Sequence, residues 1–380
     1  MIRLAVPSIE EDDLEFVREA VASGFLVQGQ RVAAFEEMVA AYVGTRYAVA
    51  VSNCTAALHL TLLALDIHAG DIVVVTTYSW VATANVIELC GAQPVFVDIQ
   101  PDTFNMDPDR LDETLKRLMS NPNTAKLVKA VLPVHTFGQM ADMARITEIT
   151  GRYAVPVVED AACALGAKWQ DRQAGTWGVM GCFSFHPRKA ITTGEGGIIT
   201  TNDARLAILL RALRNHGQDP MAKKTDFVMP GFNYRMTEFQ AALGQSQMTK
   251  LDRIIDARRR LATRYDQLLM RTALQSPEVP SSSWPVYQSY VTLLPEILSS
   301  HRAEIIQRLK ERGVETNIGT WHMPLTTYFS TRYGYRAGDY PVTDQVFDRS
   351  LTLPLYEALL PEDQDVVIRE ISTVIDTVKE

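Results

Sequence analysis

The sequence has few cysteines and histidines, and their spacing excludes several chemistries. Only 4 of the 380 residues are Cys and 7 are His. The cysteines stand far apart, so neither a CxxC metal knuckle nor a dense disulfide framework is indicated, and we interpret them as reduced thiols. No HExxH element occurs. We therefore expect no metal site.

An excess of positive charge and long apolar runs are also missing. The formal net charge is -8 at pH 7, whereas a surface that binds nucleic-acid phosphates needs clustered Lys and Arg. No apolar run reaches membrane-spanning length, and residues 1–7 lack the basic start and apolar block of a signal peptide. We expect a cytoplasmic protein with no nucleic-acid or membrane partner.

Short β-rich runs alternate with helical stretches after about residue 46. Strands are predicted over 47–51, 72–75, 94–97, 129–134 and 155–158. They are apolar at nearly every position, which is typical of a parallel sheet that helices cover on both faces. The fold class is therefore α/β.

Two domains are expected, because 380 residues with 47% hydrophobic composition exceed one typical domain. We predict a large domain over 1–250 and a smaller α+β domain over 251–380, with the segment 1–30 packing near the small domain. Ser8 and Glu11 match a capping box, which predicts a helix start. The small domain is predicted to begin with an Arg-rich helix over 251–270 and to continue with a strand over 286–294 and helices over 302–312 and from 361 onward.

Lys189 carries the most informative chemistry. It lies at a Gly-rich bend between two predicted strands, within the segment 181–201. Burying an ammonium is costly unless it is paired or chemically consumed, and forming an imine with an aldehyde consumes it. A desolvated pocket also favours the neutral amine, so we expect Lys189 to act as a general base.

Three further residues match what an aldehyde cofactor with a pyridine ring and a phosphate requires. Asp160 ends the apolar run 155–160 and is expected at the carboxyl end of a parallel strand, where it would hold the ring nitrogen protonated. Thr55 lies at a helix start that would bind phosphate, and Trp80 offers an aromatic face. Taken singly, these residues are as well explained by a loop acid, a helix cap and a core tryptophan. Their joint order along the chain favours the cofactor.

The sequence resembles the DegT/DnrJ/EryC1/StrS aminotransferases over nearly its whole length. The resemblance rests on short motifs that follow one another in register. They are Cys54-Thr-Ala-Ala-Leu-His59, Trp80-Val-Ala-Thr-Ala-Asn85, Pro133-Val-His-Thr-Phe-Gly138, Glu159-Asp-Ala-Ala-Cys-Ala-Leu-Gly-Ala167, Ser184-Phe-His-Pro-Arg-Lys189, Thr193-Gly-Glu-Gly-Gly197, Arg214-Asn-His-Gly217, Gly231-Phe-Asn-Tyr-Arg-Met236 and Leu353-Pro-Leu355.

The resemblance implies the fold-type I architecture of enzymes that use pyridoxal 5'-phosphate (PLP). That architecture has a large domain with a mostly parallel seven-stranded sheet between helices and a smaller α+β C-terminal domain. Lys189 matches the Schiff-base lysine, Asp160 the partner of the pyridine nitrogen and Trp80 the stacking aromatic. A branch of the family with dehydratase activity has histidine in place of that lysine, so Lys189 argues against it.

The resemblance also implies how the cofactor phosphate is bound. Thr55, with the adjacent Cys54, and Ser184 match its ligands within one chain. Asn233 matches an asparagine that reaches the phosphate in the neighbouring subunit. This implies a homodimer with two shared active sites.

Two positions depart from the family pattern. Position 163 is commonly glutamine, which donates to the phenolic oxygen of the cofactor, whereas Cys163 is a weak donor. The Leu-His pair that often precedes an aromatic pair near the substrate is also displaced, so Trp321 and His322 are only candidate substrate contacts.

The implied activity is transfer of an amino group from an amino acid, expected to be L-glutamate, to a nucleotide-linked keto-deoxyhexose. The cofactor would alternate between PLP and its aminated PMP form, and the amino sugar would serve surface polysaccharide or glycoside biosynthesis. Two alternatives remain open from the residues. One is a PLP aminotransferase acting on a cyclitol ketone, and the other is a catalytically silent regulatory member of the fold.

Overall fold

The computed structural model describes residues 1–378 of the chain. Its α-helices are α1 (Glu11–Ala22), α2 (Gln30–Val43), α3 (Cys54–Ala64), α4 (Ala82–Leu89), α5 (Pro108–Ser120), α6 (Pro122–Ala125), α7 (Met143–Gly151), α8 (Ala204–Leu213), α9 (Glu238–Met248), α10 (Leu251–Leu269), α11 (Arg302–Glu311), α12 (Thr327–Tyr333), α13 (Pro341–Arg349) and α14 (Pro361–Val378). Short 3-10 helices cover Thr136–Gly138, Glu296–His301 and Met323–Leu325.

The strands are short and mostly buried. They are β1 (Tyr47–Val51), β2 (Ile72–Thr76), β3 (Tyr78–Ser79), β4 (Gln93–Val97), β5 (Val128–Leu132), β6 (Val158–Asp160), β7 (Lys168–Trp169), β8 (Arg172–Gln173), β9 (Met180–Ser184), β10 (Gly197–Thr201), β11 (Ser283–Trp284), β12 (Tyr290–Leu293), β13 (Trp321–His322) and β14 (Ser350–Leu353).

Seven strands form the central sheet in the order β1-β10-β9-β6-β5-β2-β4. The middle of the sheet is held by parallel bridges from Val131 to Val157 and from Val134 to Asp160, which join β5 to β6. Only β10 runs antiparallel to its neighbours, β1 and β9. The predicted mostly parallel seven-stranded sheet is confirmed.

Apolar side chains pack on both faces of this sheet, as the continuous apolar strands predicted. Val74 and Ile198 belong to the cluster on one face, and Val75 and Ile199 belong to the cluster on the other. Alternate residues of a strand point to opposite faces, so a strand that is buried on both sides must be apolar throughout.

Some boundaries differ from the predictions, and tertiary contacts explain the differences. The strand predicted over 155–158 lies at Val158–Asp160. Helix α1 is capped by Glu10 with Asp13 rather than by Ser8 with Glu11. The hydroxyl of Ser8 donates instead to Glu357 at 2.5 Å, 349 residues away, so it does not cap the helix.

The C-terminal part of the chain packs around its own apolar cluster. Helix α10 contributes Leu251 and Ile254 to a cluster against the large sheet, and Tyr265 and Leu269 to the C-terminal cluster. The N-terminal segment reaches the same part, because Ile2 N donates to the carbonyl of Gly313 at 2.8 Å. The division into domains near residue 250 stays a prediction. Among residues 1–378, no helix is both long enough and apolar enough to cross a membrane.

Glu159 fixes the strand end that carries Asp160. Its carboxylate is buried and accepts four hydrogen bonds, from the His135 ring at 2.9 Å and from the backbone of Gly175, Trp177 and Gly178 at 2.8, 2.7 and 2.7 Å. His135 Nδ1 accepts from a backbone N–H, so Nε2 carries the proton that is donated to Glu159. One buried acid thus ties β5, β6 and the loop before β9 together.

We predict that Glu159→Gln destabilises the protein by about 2–4 kcal/mol, because the amide replaces one acceptor with a donor that faces other donors. Urea unfolding of the full chain measures this loss. Glu148→Gln is the matched control, since that side chain is 71% exposed and its ion pair with Arg152 is worth less than about 1 kcal/mol. Equal unfolding midpoints for the two variants would contradict the prediction.

Candidate active site

A cavity of about 1010 Å³ opens where the parallel strands end. Its wall is built from residues that follow or end β1, β2, β5, β6 and β9, which is the edge where open α/β sheets bind ligands. Seven of the predicted site residues line it, namely Cys54, Thr55, Trp80, Asp160, Cys163, Ser184 and Lys189. A second cavity of about 430 Å³ near Glu36 contains none of them.

Asp160 lies at the end of β6 and is 3% exposed. Its carboxylate accepts from the Thr83 hydroxyl at 2.7 Å and from the Ala162 N–H at 3.2 Å. Burial raises the pKa of Asp160, although these hydrogen bonds and the charge of Lys189 act in the opposite direction. Within residues 1–378 no cation forms an ion pair with it. A buried carboxylate of this kind is completed by a cationic ligand.

Lys189 shares the cavity with Asp160, in the turn between β9 and β10. Its Nζ donates to Cys163 Sγ at 3.0 Å. Burial disfavours the charged amine, but Cys163, Cys54 and Asp160 outweigh it and raise the pKa of Lys189. This is the reverse of the shift that we expected from desolvation alone, because three acidic groups surround the amine.

The start of α3 presents backbone donors to the cavity. Asn53 caps the helix through its side chain, which accepts from Ala56 N at 2.8 Å. The N–H groups of Cys54 and Thr55 belong to the first turn, where a helix offers no internal acceptor. Gly197 of β10 packs directly beneath, since a Cβ there would lie 2.4 Å from the Asn53 carbonyl carbon. Only glycine allows this close approach.

Trp80 stands just before α4 and keeps 63% of its surface exposed. An exposed tryptophan on a cavity wall is available to cover a planar ring. Thr83, one helical turn further, donates to Asp160 and lies 3.0 Å from the Ser79 hydroxyl. Sequence reasoning missed Thr83, although its spacing three residues after Trp80 in the quoted motif was a usable signal.

Three predicted residues lie outside this cavity wall. Asn233 is exposed and accepts from Arg235 Nε at 3.0 Å. Trp321 is 42% exposed in β13, which pairs with β3. His322 is 2% exposed, its Nε2 lies 3.0 Å from Asp344, and burial lowers its pKa. The structure therefore does not bring Trp321 or His322 to the cavity, and their contact with substrate is unsupported within one chain.

These side chains fit PLP. No cation among residues 1–378 pairs with the buried Asp160, and a protonated ring nitrogen would supply one. The Lys189 amine lies in the same cavity and could form an imine with an aldehyde. First-turn N–H groups of α3 suit a phosphate, with Thr55 and Ser184 nearby on the wall. Trp80 is free to stack. The fit rests on the chemical groups that meet at the carboxyl end of the parallel strands.

The fold and this cavity define the class of the protein, which is that of the PLP-dependent aminotransferases of fold type I. The model of the DegT/DnrJ/EryC1/StrS aminotransferase family matches residues 7–372. The chain belongs to this family, and it is a PLP-dependent sugar aminotransferase.

Individual relatives match along almost their whole length. GDP-perosamine synthase of Caulobacter vibrioides is 36% identical over 381 residues, which cover 98% of each protein. The spore coat polysaccharide biosynthesis protein SpsC of Bacillus subtilis is 35% identical, over 98% of this chain and 96% of its own. The putative sugar aminotransferase Spr1654 of Streptococcus pneumoniae, solved in a PMP form and a PLP form, superposes on this chain with a TM-score of 0.92 at 27% identity. The PMP-form alignment covers 99% of this chain and 98% of that one.

We predict that Asp160→Asn lowers turnover roughly 100-fold or more, because a preorganised charge at the reacting group is lost. The cofactor-free variant should be at least as stable as the parent at neutral pH. The pKa of the Asp160 carboxyl is raised in the folded protein, so this group contributes to stability at low pH. That contribution to the free energy of unfolding is lost as pH rises through the folded pKa.

Thermal unfolding of the cofactor-free proteins between pH 4 and pH 8, together with turnover, tests both statements. The difference in unfolding temperature in favour of Asp160→Asn should shrink as pH falls. Asp171→Asn is the control, since Asp171 is exposed in a turn, and it should change neither quantity. Full turnover in Asp160→Asn would exclude the assigned role.

Proposed function

We propose that this enzyme moves the amino group of L-glutamate to a nucleotide-linked keto-deoxyhexose in the cytoplasm. The observation that carries the proposal is the joint placement of the Lys189 amine and the buried Asp160 carboxylate on one cavity wall. The product would be an amino sugar for surface polysaccharide or glycoside biosynthesis. The names of the relatives, a GDP-perosamine synthase and a spore coat polysaccharide protein, support this substrate class.

A cavity of about 1010 Å³ supports an acceptor larger than a free sugar. Arg188 supports an anionic one. It is exposed on the cavity wall, and its backbone is held by Gln288, whose amide donates to the Arg188 carbonyl at 3.0 Å. The guanidinium forms no ion pair within residues 1–378, so it is available to a diphosphate.

PLP, when bound, supplies an electron-poor ring that stabilises negative charge on the carbon losing its proton. We assign Asp160 to hold the ring nitrogen in its cationic form, Trp80 to cover the ring, and the α3 start with Ser184 to hold the phosphate. Thr83 leaves Asp160 little freedom to turn, because it donates to one carboxylate oxygen at 2.7 Å.

Lys189 would first anchor the cofactor and then move the proton between substrate and cofactor. The amine acts as a base only in its neutral form, and the acidic neighbours that raise its pKa oppose this form. Their effect weakens when the Asp160 charge is balanced by the cationic ring nitrogen. Balancing the Asp160 charge would thus remove one of the contributions that raise the pKa of Lys189.

The second chain of a homodimer would complete the site. Asn233 is exposed and lies outside the cavity wall of its own chain, which suits a residue that serves a neighbouring subunit. Large apolar side chains are exposed nearby in sequence, with Phe227 at 60% and Val228 at 54%. Exposed apolar surface of this kind marks an interaction site.

Assay of both half-reactions tests the proposed activity. Purified enzyme should be yellow, glutamate should bleach the visible band, and a nucleotide-linked keto sugar should restore it. Restoration by a cyclitol ketone alone would favour the first alternative, and no bleaching by any amino donor would favour a silent member of the fold. Ping-pong kinetics are expected, because the two substrates occupy the same cavity in turn.

We predict that Lys189→Ala loses the visible band and at least about 100-fold in turnover, since the proton-transfer group is removed. Absorbance and steady-state rates measure this. Lys310→Ala is the control, because Lys310 is exposed on α11. Turnover at the parent rate in Lys189→Ala would disprove the assignment.

The shared site predicts complementation between two inactive variants. When Lys189→Ala chains and Asn233→Ala chains are mixed and allowed to exchange, one site of each mixed dimer has both residues intact. Turnover should then rise above that of either variant alone. If each chain used its own Asn233, both sites of the mixed dimer would be impaired and mixing would restore nothing.

A further inference from the structure

Cys163 and Lys189 form a direct contact that the proposed transamination cycle does not use. The amine donates to the sulfur at 3.0 Å, and both residues line the cavity. Small solutes that enter the cavity can therefore reach the pair.

The surroundings of Cys163 differ from those of the other three cysteines. Burial raises the pKa of Cys54 and of Cys182 well above the ordinary thiol value, and it raises the pKa of Cys90 to about 11. Such thiols are poor nucleophiles, because the thiolate is the reactive form. Cys163 instead is half-buried on the cavity wall and has the Lys189 amine in hydrogen-bond contact.

We infer that Cys163 and Lys189 are a peroxide-sensitive pair that closes to a reversible sulfur–nitrogen link. In the first step the Cys163 thiolate attacks hydrogen peroxide. A sulfur–oxygen bond forms and the oxygen–oxygen bond breaks, which gives a sulfenic acid, and the hydroxide that leaves takes a proton from the Lys189 ammonium group to become water. Sulfur is oxidised by two electrons and peroxide is reduced by two.

In the second step the Lys189 amine attacks the sulfur of the sulfenic acid. A sulfur–nitrogen bond forms, the sulfur–oxygen bond breaks and a second water leaves. The overall change converts one thiol, one amine and one peroxide into one sulfenamide and two waters. Sulfenic acids condense with nitrogen nucleophiles in this way, and the 3.0 Å separation makes the amine an adjacent partner.

Oxidation of the sulfur also prepares the nitrogen to react. The thiolate helps to keep Lys189 protonated, and an ammonium group has no free electron pair. Converting the thiolate into an uncharged sulfenic acid removes that support, so the amine loses its proton and becomes a nucleophile. Oxidation of the sulfur therefore favours closure, because the neutral amine already lies beside it.

The sulfenamide would block the Lys189 amine, which is the group proposed to anchor PLP. Bound PLP would in turn protect the pair, because it occupies the same nitrogen. The inference goes beyond the proposed function, and its chemical test needs no turnover and no sugar substrate. A failure of the proposed function therefore leaves the test intact.

Full-length protein freed of cofactor is treated with hydrogen peroxide and analysed by intact mass and by peptide mapping. We expect the mass to fall by two hydrogen atoms and one cross-linked species to join the peptides of Cys163 and Lys189. Dithiothreitol should restore the parent mass. The fraction of protein that no longer develops the visible band with PLP should equal the cross-linked fraction, and prior loading with PLP should suppress both.

Three variants separate this outcome from others. Cys163→Ser should neither lose the hydrogens nor lose PLP loading, whereas Cys90→Ser, at a free cysteine outside the cavity wall, should behave like the parent. Lys189→Ala should gain one oxygen at Cys163 and form no cross-link. A cross-link from Cys163 to Cys54, stable oxygen addition in the parent, or loss of two hydrogens in Cys163→Ser would each overturn the inference.

Discussion

The carboxylate of Asp160 is the group on which the rest of the site depends. It is 3% exposed, and burial raises its pKa, so the fold holds it at a cost that a cationic ligand offsets. The same wall holds an amine, backbone donors and an exposed tryptophan ring. A buried carboxylate that has no cation partner among residues 1–378 is thus the feature that suits a cofactor with a protonated ring nitrogen.

The central sheet keeps that carboxylate in place. Strands β5 and β6 meet at Asp160, where His135 N donates to the Asp160 carbonyl at 3.0 Å and Asp160 N donates to the Pro133 carbonyl at 2.9 Å. Glu159 is the adjacent residue of β6 and points to the opposite face, because successive strand residues alternate. One acid of the pair therefore anchors the scaffold while the other faces the cavity.

The pKa of Lys189 is shifted by its neighbours and not by burial alone. Cys163, Cys54 and Asp160 raise its pKa against the effect of desolvation. The pKa of the amine therefore depends on the charge state of the groups around it. The cysteine at position 163 adds a thiol contact to a lysine that the proposed catalytic cycle needs free.

The sequence by itself determined the α/β class, the seven strands of the central sheet to within a few residues, and seven residues of the cavity wall, including Asp160 and Lys189. Apolar periodicity and motifs are local in the chain, so they can be recognised without the fold. Only the tertiary structure decided the cap of α1, the contact of Cys163 with Lys189, the role of Thr83 and the burial of His322. Each of these depends on which distant side chain a polar group meets, and local sequence patterns do not encode that choice.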